Sequence, residues 1–306
     1  MNRRAFIASS SSLIATALFS SSKDRTTAGA LSVRPTPGGP LVTPNGKSFV
    51  YSQMGMPPKL PSTIDIDGLV GSPRRYAVSE VASMPAVTRL MTLECSGNAA
   101  SGALIFTSHF QGVPLAPLFE RATIKADAEA AQIETIDGHQ PFLLPLSELQ
   151  RPSTMLIGKF GSDPVPVQHG SPYTRLFIPG ASGDHHPKWV TRITLVETEA
   201  PTHDAPPVAG FLSPGPPEAR GSMSGVALTG YAFTGPEPVG SVELSTDDGA
   251  AYQSMSLPPH PDPNVWLTWE VTWQPPQPGS YVLRVRAASA SGRKQDIPGV
   301  INVLVS

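Results

Sequence analysis

Cys95 is the only cysteine in 306 residues. A single cysteine can build neither a disulfide framework nor the Cys-x-x-Cys-His attachment of a c-type haem. Charge is sparse as well. Lysine and arginine number 22 against 24 aspartates and glutamates, for a net charge of −2. Nucleic acid as the main partner is disfavoured, because phosphate binding needs a clear cationic excess. No apolar run is long enough to span a bilayer: the best stretch, residues 8–22, is short and rich in serine. Internal repeats, a phosphate-binding P-loop and a Gly-x-Gly-x-x-Gly turn are all missing. What the chain has in quantity is proline, 35, and glycine, 27, spread along its length. That composition suits a loop-rich, β-rich protein of about two domains, each large enough to bury a core.

The N-terminus reads Met1-Asn2-Arg3-Arg4-Ala5-Phe6-Ile7, followed by a weakly apolar stretch and the small-x-small triplet Ala28-Gly29-Ala30. This pattern resembles a twin-arginine export signal, and it predicts a periplasmic protein whose mature part starts near Leu31. Export sharpens the meaning of the lone thiol. Cysteines in an oxidising compartment are usually paired, whereas a soft metal can hold a single thiolate.

Cys95 closes a run, Val87-Thr88-Arg89-Leu90-Met91-Thr92-Leu93-Glu94, whose β-branched and apolar residues suit a mostly buried strand. Ser96-Gly97-Asn98 then forms a turn, so the thiol stands at a strand's end. Further strands are expected at Ser62 to Val70, Gln132 to Ile136, Leu176 to Ile178 and Thr191 to Val196. Helices are expected at Ser79 to Ala82, with Ser79 as cap, and at Val113 to Glu120, opened by prolines. A Pro/Ala/Gly-rich stretch from Glu199 to Pro217 marks a boundary between domains at 31–199 and 200–306. Beyond it, six short strands between Gly225 and Val305, with Asp248-Gly249 as a hairpin turn, fit an immunoglobulin-like sandwich. Trp266, Trp269 and Trp273 are expected in its core and rim.

Several motifs recur in order: Glu94-Cys95-Ser96-Gly97-Asn98, Asp137-Gly138, His169-Gly170-Ser171-Pro172-Tyr173-Thr174-Arg175, Pro179-Gly180, Lys188-Trp189-Val190-Thr191-Arg192-Ile193, Gly230-Tyr231-Ala232-Phe233 and Ser245-Thr246-Asp247-Asp248-Gly249. Together they resemble the sulfite oxidase and sulfite dehydrogenase family of molybdopterin-dependent oxidoreductases. The resemblance implies an α+β molybdopterin-binding domain followed by the sandwich, and one molybdenum-molybdopterin per chain. It makes Cys95 the metal's thiolate ligand. His169, Arg175 and Lys188, with His186 and Pro187 beside the lysine, would hold the cofactor's phosphate and pterin. Asp137 would meet the pterin N–H groups. Phe49, Val50, Tyr51, Ser52 and Gln53 fall where the family lines cofactor and substrate, with Tyr51 in the place of a substrate-binding arginine. As a metal pair, His185 and His186 are disfavoured, because adjacent side chains point apart and suit a solvated loop.

The departures concern the substrate. Ala99 and Ala100 follow the cysteine motif where two arginines are common. Leu267 takes the place of an anion-reaching arginine, no tyrosine matches the active-site one in Glu197 to Pro207, and one extra residue separates His169 from Arg175. Family membership makes sulfite oxidation the default expectation, with electrons leaving to a separate c-type cytochrome. The lost cations favour a neutral organic sulfoxide or sulfide instead. A scaffold without metal, or a thiol nucleophile served by His169 or His109, are the other readings. A homodimer through the second domain is also expected from the family.

Overall fold

The computed structural model describes residues 31–33, 42–43, 48–49, 55–215, 218–259 and 262–306. Val50, Tyr51, Ser52 and Gln53 lie outside the described residues, as does the export signal expected over residues 1–30. No helix among the described residues is long and apolar enough to cross a membrane.

The architecture is mostly β, with three short α-helices among the described residues. In the first half, one sheet carries the strands Arg175–Phe177, Met155–Phe160, Ile105–Pro114 and Val87–Glu94 in that order, with Asp163–Pro164 paired to Met155–Phe160. The second sheet runs Arg74–Ala77, Thr63–Gly68, Val190–Val196, Ala130–Thr135, Phe142–Pro145. Alternation builds these strands. In Thr63–Gly68, Ile64 and Ile66 are fully buried, while Thr63, Asp65 and Asp67 face outward.

The second half is two facing sheets. One is ordered Leu31–Val33, Leu267–Trp273, Val226–Phe233, Val208–Ser213, the other Glu218–Gly221, Gly299–Val305, Gly279–Ser289, Val239–Ser245, Gln253–Ser254. Residues 31–33 thus pair with 271–273, across most of the chain. Leu267, Trp269, Val271 and Trp273 alternate inward to the shared core, as the tryptophan pattern predicts for two of the three. Trp266 instead packs on Tyr231, ring centroids 5.3 Å apart, in a separate cluster that includes Ile105 of the first half.

Several local expectations need correction. The first helix, Val78–Ala82, has Ala77 at its cap position, and no side chain caps it. Val113 and Pro114 end the strand Ile105–Pro114, and the helix starts only at Ala116. Proline is tolerated at that strand's last position, where the ladder no longer needs its N–H. The strand expected over Ala251 to Leu257 shrinks to Gln253–Ser254.

Candidate active site

Strand Val87–Glu94 delivers Cys95 to the wall of a cavity of about 350 Å³. That volume lies in the range of small-molecule sites. Cys95, Asp137, His169, Arg175, His186, Lys188 and Phe49 all line it, so seven of the residues singled out in the sequence converge. Pro187 does not line it. Its carbonyl accepts the Leu176 N–H at 2.9 Å, which braces the segment that carries Lys188.

The turn after the cysteine is tied on both sides. Asn98 donates through Nδ2 to Glu94 Oε1 at 3.1 Å and accepts the Leu104 N–H at 3.0 Å. From the second half, the Phe211 N–H donates to Ser101 Oγ at 3.0 Å and the Tyr231 hydroxyl reaches Gly102 O at 3.5 Å. The cysteine strand is held likewise: Thr92 N–H donates to Asn264 O at 2.8 Å. Gly183 closes the other side. A Cβ there would stand 2.8 Å from Glu94 O and 3.1 Å from Cys95 Cα, so only glycine admits this approach.

Arg175 is buried at 3% exposure, donates through Nη1 to His169 O at 3.0 Å, and has no partner for its Nε among the described residues. Burial pushes its guanidinium down to about 10. Burial, with Arg175 adding, pushes Lys188 down to about 8, while Asp137 and Cys95 act to keep it charged. Asp137 sits in the predicted turn and accepts from Thr135 Oγ1 at 2.7 Å and from the His139 N–H at 3.3 Å. Burial, then Arg175 and Lys188, hold the His169 imidazole down near 4. A ring that resists protonation this strongly is a weak base for a thiol nucleophile. His109, the other base considered, is exposed on Ile105–Pro114 and does not line the cavity.

His186 corrects the expectation of a solvated loop. It is 3% exposed, lies edge-on to Phe177 with centroids 4.5 Å apart, and its Nε2 meets Ala181 O at 3.1 Å. His185 does point away, stacked flat on His203 at 3.5 Å. Leu267 corrects another expectation: it is 4% exposed inside the second half's core and does not line the cavity. The period of two along its strand turns it inward.

Sequence reasoning missed His139, whose ring stacks on Phe142 at 4.4 Å, and also Gly183 and Asp184. The Gly183-Asp184-His185 stretch carries no signal beyond its place five residues before the Lys-Trp pair.

The donor set fits a pterin-dithiolene cofactor with a soft metal. A lone thiol, a buried guanidinium with a free N–H, an ammonium and an acceptor carboxylate surround one cavity. Residues 56–204 match the oxidoreductase molybdopterin-binding domain. Among curated relatives, an NADH nitrate reductase of Volvox carteri is 26% identical over 52% of this chain and 22% of its own length. A protein-methionine-sulfoxide reductase catalytic subunit of Gluconobacter oxydans is 32% identical over 47% of this chain and 49% of its own. The mitochondrial sulfite oxidase of Macaca fascicularis is 24% identical over 71% of this chain and 49% of its own. The chain therefore spans about half or less of the curated relatives it matches. The sulfane dehydrogenase SoxCD structure from Paracoccus pantotrophus superposes with a TM-score of 0.70 at 19% identity, covering 89% of this chain and 79% of that one, which shows a shared fold. The cofactor is molybdenum-molybdopterin. With that domain, those relatives and this fold, the chain is a divergent member of the sulfite oxidase family of molybdopterin-dependent oxidoreductases.

Proposed function

We propose that this chain transfers an oxygen atom at a sulfur centre and that its substrate is neutral, an organic sulfoxide or sulfide. When bound, the cofactor supplies two-electron oxygen-atom transfer. Cys95 would ligate the metal, Arg175, Lys188 and His169 would hold the anionic phosphate and the pterin, and Asp137 would accept from pterin N–H groups. One observation carries the preference for a neutral substrate. Among the described residues, Arg175 and Lys188 are the only lysine and arginine side chains lining the cavity, and both serve the cofactor in this reading. Phe49, Leu93, Leu104 and Phe142 complete much of the wall. A dianion would lack the charge-assisted donors that normally offset its desolvation, each worth about 1.5–3 kcal/mol.

In the reductive direction, a sulfoxide, two electrons and two protons give a sulfide and water. Sulfite oxidation remains the second reading, because the similarity to the sulfite oxidase covers 71% of the chain. There, sulfite and water give sulfate, two protons and two electrons. Either way the electrons pass singly to or from a carrier. The single cysteine of the chain supports a separate c-type cytochrome in that role. The twin-arginine pattern supports a periplasmic location, and the second half's two facing sheets support an immunoglobulin-like unit, for which the family resemblance suggests pairing in a homodimer.

The test is turnover of molybdenum-loaded protein with sulfite plus ferricyanide, and with reduced methyl viologen plus dimethyl sulfoxide or methionine sulfoxide. Sulfoxide reduction without sulfite oxidation is expected. Sulfite turnover at micromolar affinity would overturn the neutral-substrate reading. Metal analysis of Cys95→Ser, expected to lose most of its molybdenum, checks the ligand.

A further inference from the structure

We propose that Asp184 is the charge filter of this site: its carboxylate, on the wall of the same cavity as Cys95, turns sulfur dianions away and admits neutral substrates. This rests on the reading of oxygen transfer at sulfur and deepens it by naming the residue that selects the substrate class.

The placement follows from backbone packing. Gly183 lies against Glu94 O and Cys95 Cα so closely that no side chain fits there. Asp184, the next residue, is thereby set at the cysteine's side of the cavity and lines it with Cys95, Ser96 and Gly97. Its side chain is 40% exposed, so it is open to an approaching solute and not sealed in the core. The carboxylate is held in its charged form. His185 Nδ1 lies 3.2 Å from Asp184 Oδ1, and this contact draws the carboxyl well below the usual carboxylate range. His185 is itself fixed, with its ring flat on His203 at an interplanar angle of 11°. The other charged and titratable groups acting on this cluster are Glu148 and Asp204, both acidic, and the buried His186.

The cavity's two strong cations have partners of their own. Lys188 answers Asp137 and Cys95, and Arg175 is directed to His169 O. A dianion entering the cavity is repelled by the Asp184 carboxylate on its wall, whereas a neutral sulfoxide carries no net charge to repel. Removing one unit charge a few ångströms from a dianion, at the effective dielectric of a part-exposed site, changes affinity by about ten- to a hundredfold.

The experiment uses the full, molybdenum-loaded chain and two variants, Asp184→Asn and Asp184→Ser. Sulfate binding is measured by titration calorimetry, and sulfite oxidation and dimethyl sulfoxide reduction are measured as kcat/KM. Both variants are expected to bind sulfate about tenfold more tightly or better, to gain sulfite kcat/KM by a similar factor, and to change with dimethyl sulfoxide by less than about threefold. His185→Gln, which keeps the carboxylate, is expected to show no such gain in sulfate affinity. Unchanged sulfate affinity in both folded variants overturns the proposal, even if the wild type reduces sulfoxides. Efficient sulfite oxidation by the wild type overturns it together with the neutral-substrate reading. A wild type inactive on both substrates whose variants gain sulfate affinity would sink the functional reading and leave the filter standing.

Discussion

The hydroxyl of Thr92 accepts the backbone N–H of Trp266 at 2.8 Å, so the strand that ends at Cys95 is bonded directly to the second half of the chain. The same hydroxyl lies 2.6 Å from Thr107 Oγ1, and Thr92 is 1% exposed. Thr92→Val keeps the shape and deletes both of these bonds inside a buried site. The expected loss is about 1–3 kcal/mol, read as a lower denaturation midpoint. A midpoint equal to the wild type would show that water replaces the lost hydroxyl.

Gly183→Ala tests the packing behind the thiol. Its Cβ would press on Glu94 O and Cys95 Cα, which are backbone atoms and cannot swing aside. Overpacking of this kind costs about 1–3 kcal/mol, and here it also displaces Cys95. Lower stability together with lower molybdenum content is the expected result. Full molybdenum content in a stable Ala variant would mean that the two segments can separate without moving the thiol.

Two buried groups shape the pH dependence in opposite senses. His186, by burial first and then Arg175, is pushed down to about 3 from 6.5. Between those values the unfolded chain binds a proton that the folded one refuses. This contribution is present above pH 6.5 and is lost as the pH falls, by about 1.4 kcal/mol per unit. Burial pushes Glu94 up to about 8 from 4.5. The folded chain keeps that proton and the unfolded one releases it, so stability falls as pH rises through the window. From 4.5 to 6.5 these two slopes oppose, and from 6.5 to 8 His186 no longer offsets Glu94. Urea midpoints across this range are expected to show Glu94→Gln flattening the alkaline limb and His186→Gln the acid limb. An unchanged limb in either variant removes that residue as its cause.

The sequence carried the cysteine strand clearly, because Val87 to Leu93 combines β-branched and apolar residues ahead of a Ser-Gly-Asn turn. It carried Asp137, His169, Arg175 and Lys188 through motif order, and the fold brings them to one cavity. It misled at Val113 and Pro114, where proline suggested a helix start while pairing with Met155–Phe160 holds a strand. It misled at Leu267 too, because a motif position does not reveal which way a strand residue faces. Asp184 and His139 were invisible, since each is an ordinary loop residue until folding brings it to the cavity wall.

The supports of the cysteine turn have a consequence for biosynthesis. Phe211, Tyr231, Asn264 and Trp266 all leave the ribosome after the last cavity-lining residue, Lys188. A nascent chain therefore has every described cavity-lining side chain in hand before this part of the backing of its thiol exists. These four ties are made late in synthesis, so a chain cut short before residue 211 would hold the described cavity-lining residues and lack all four of them.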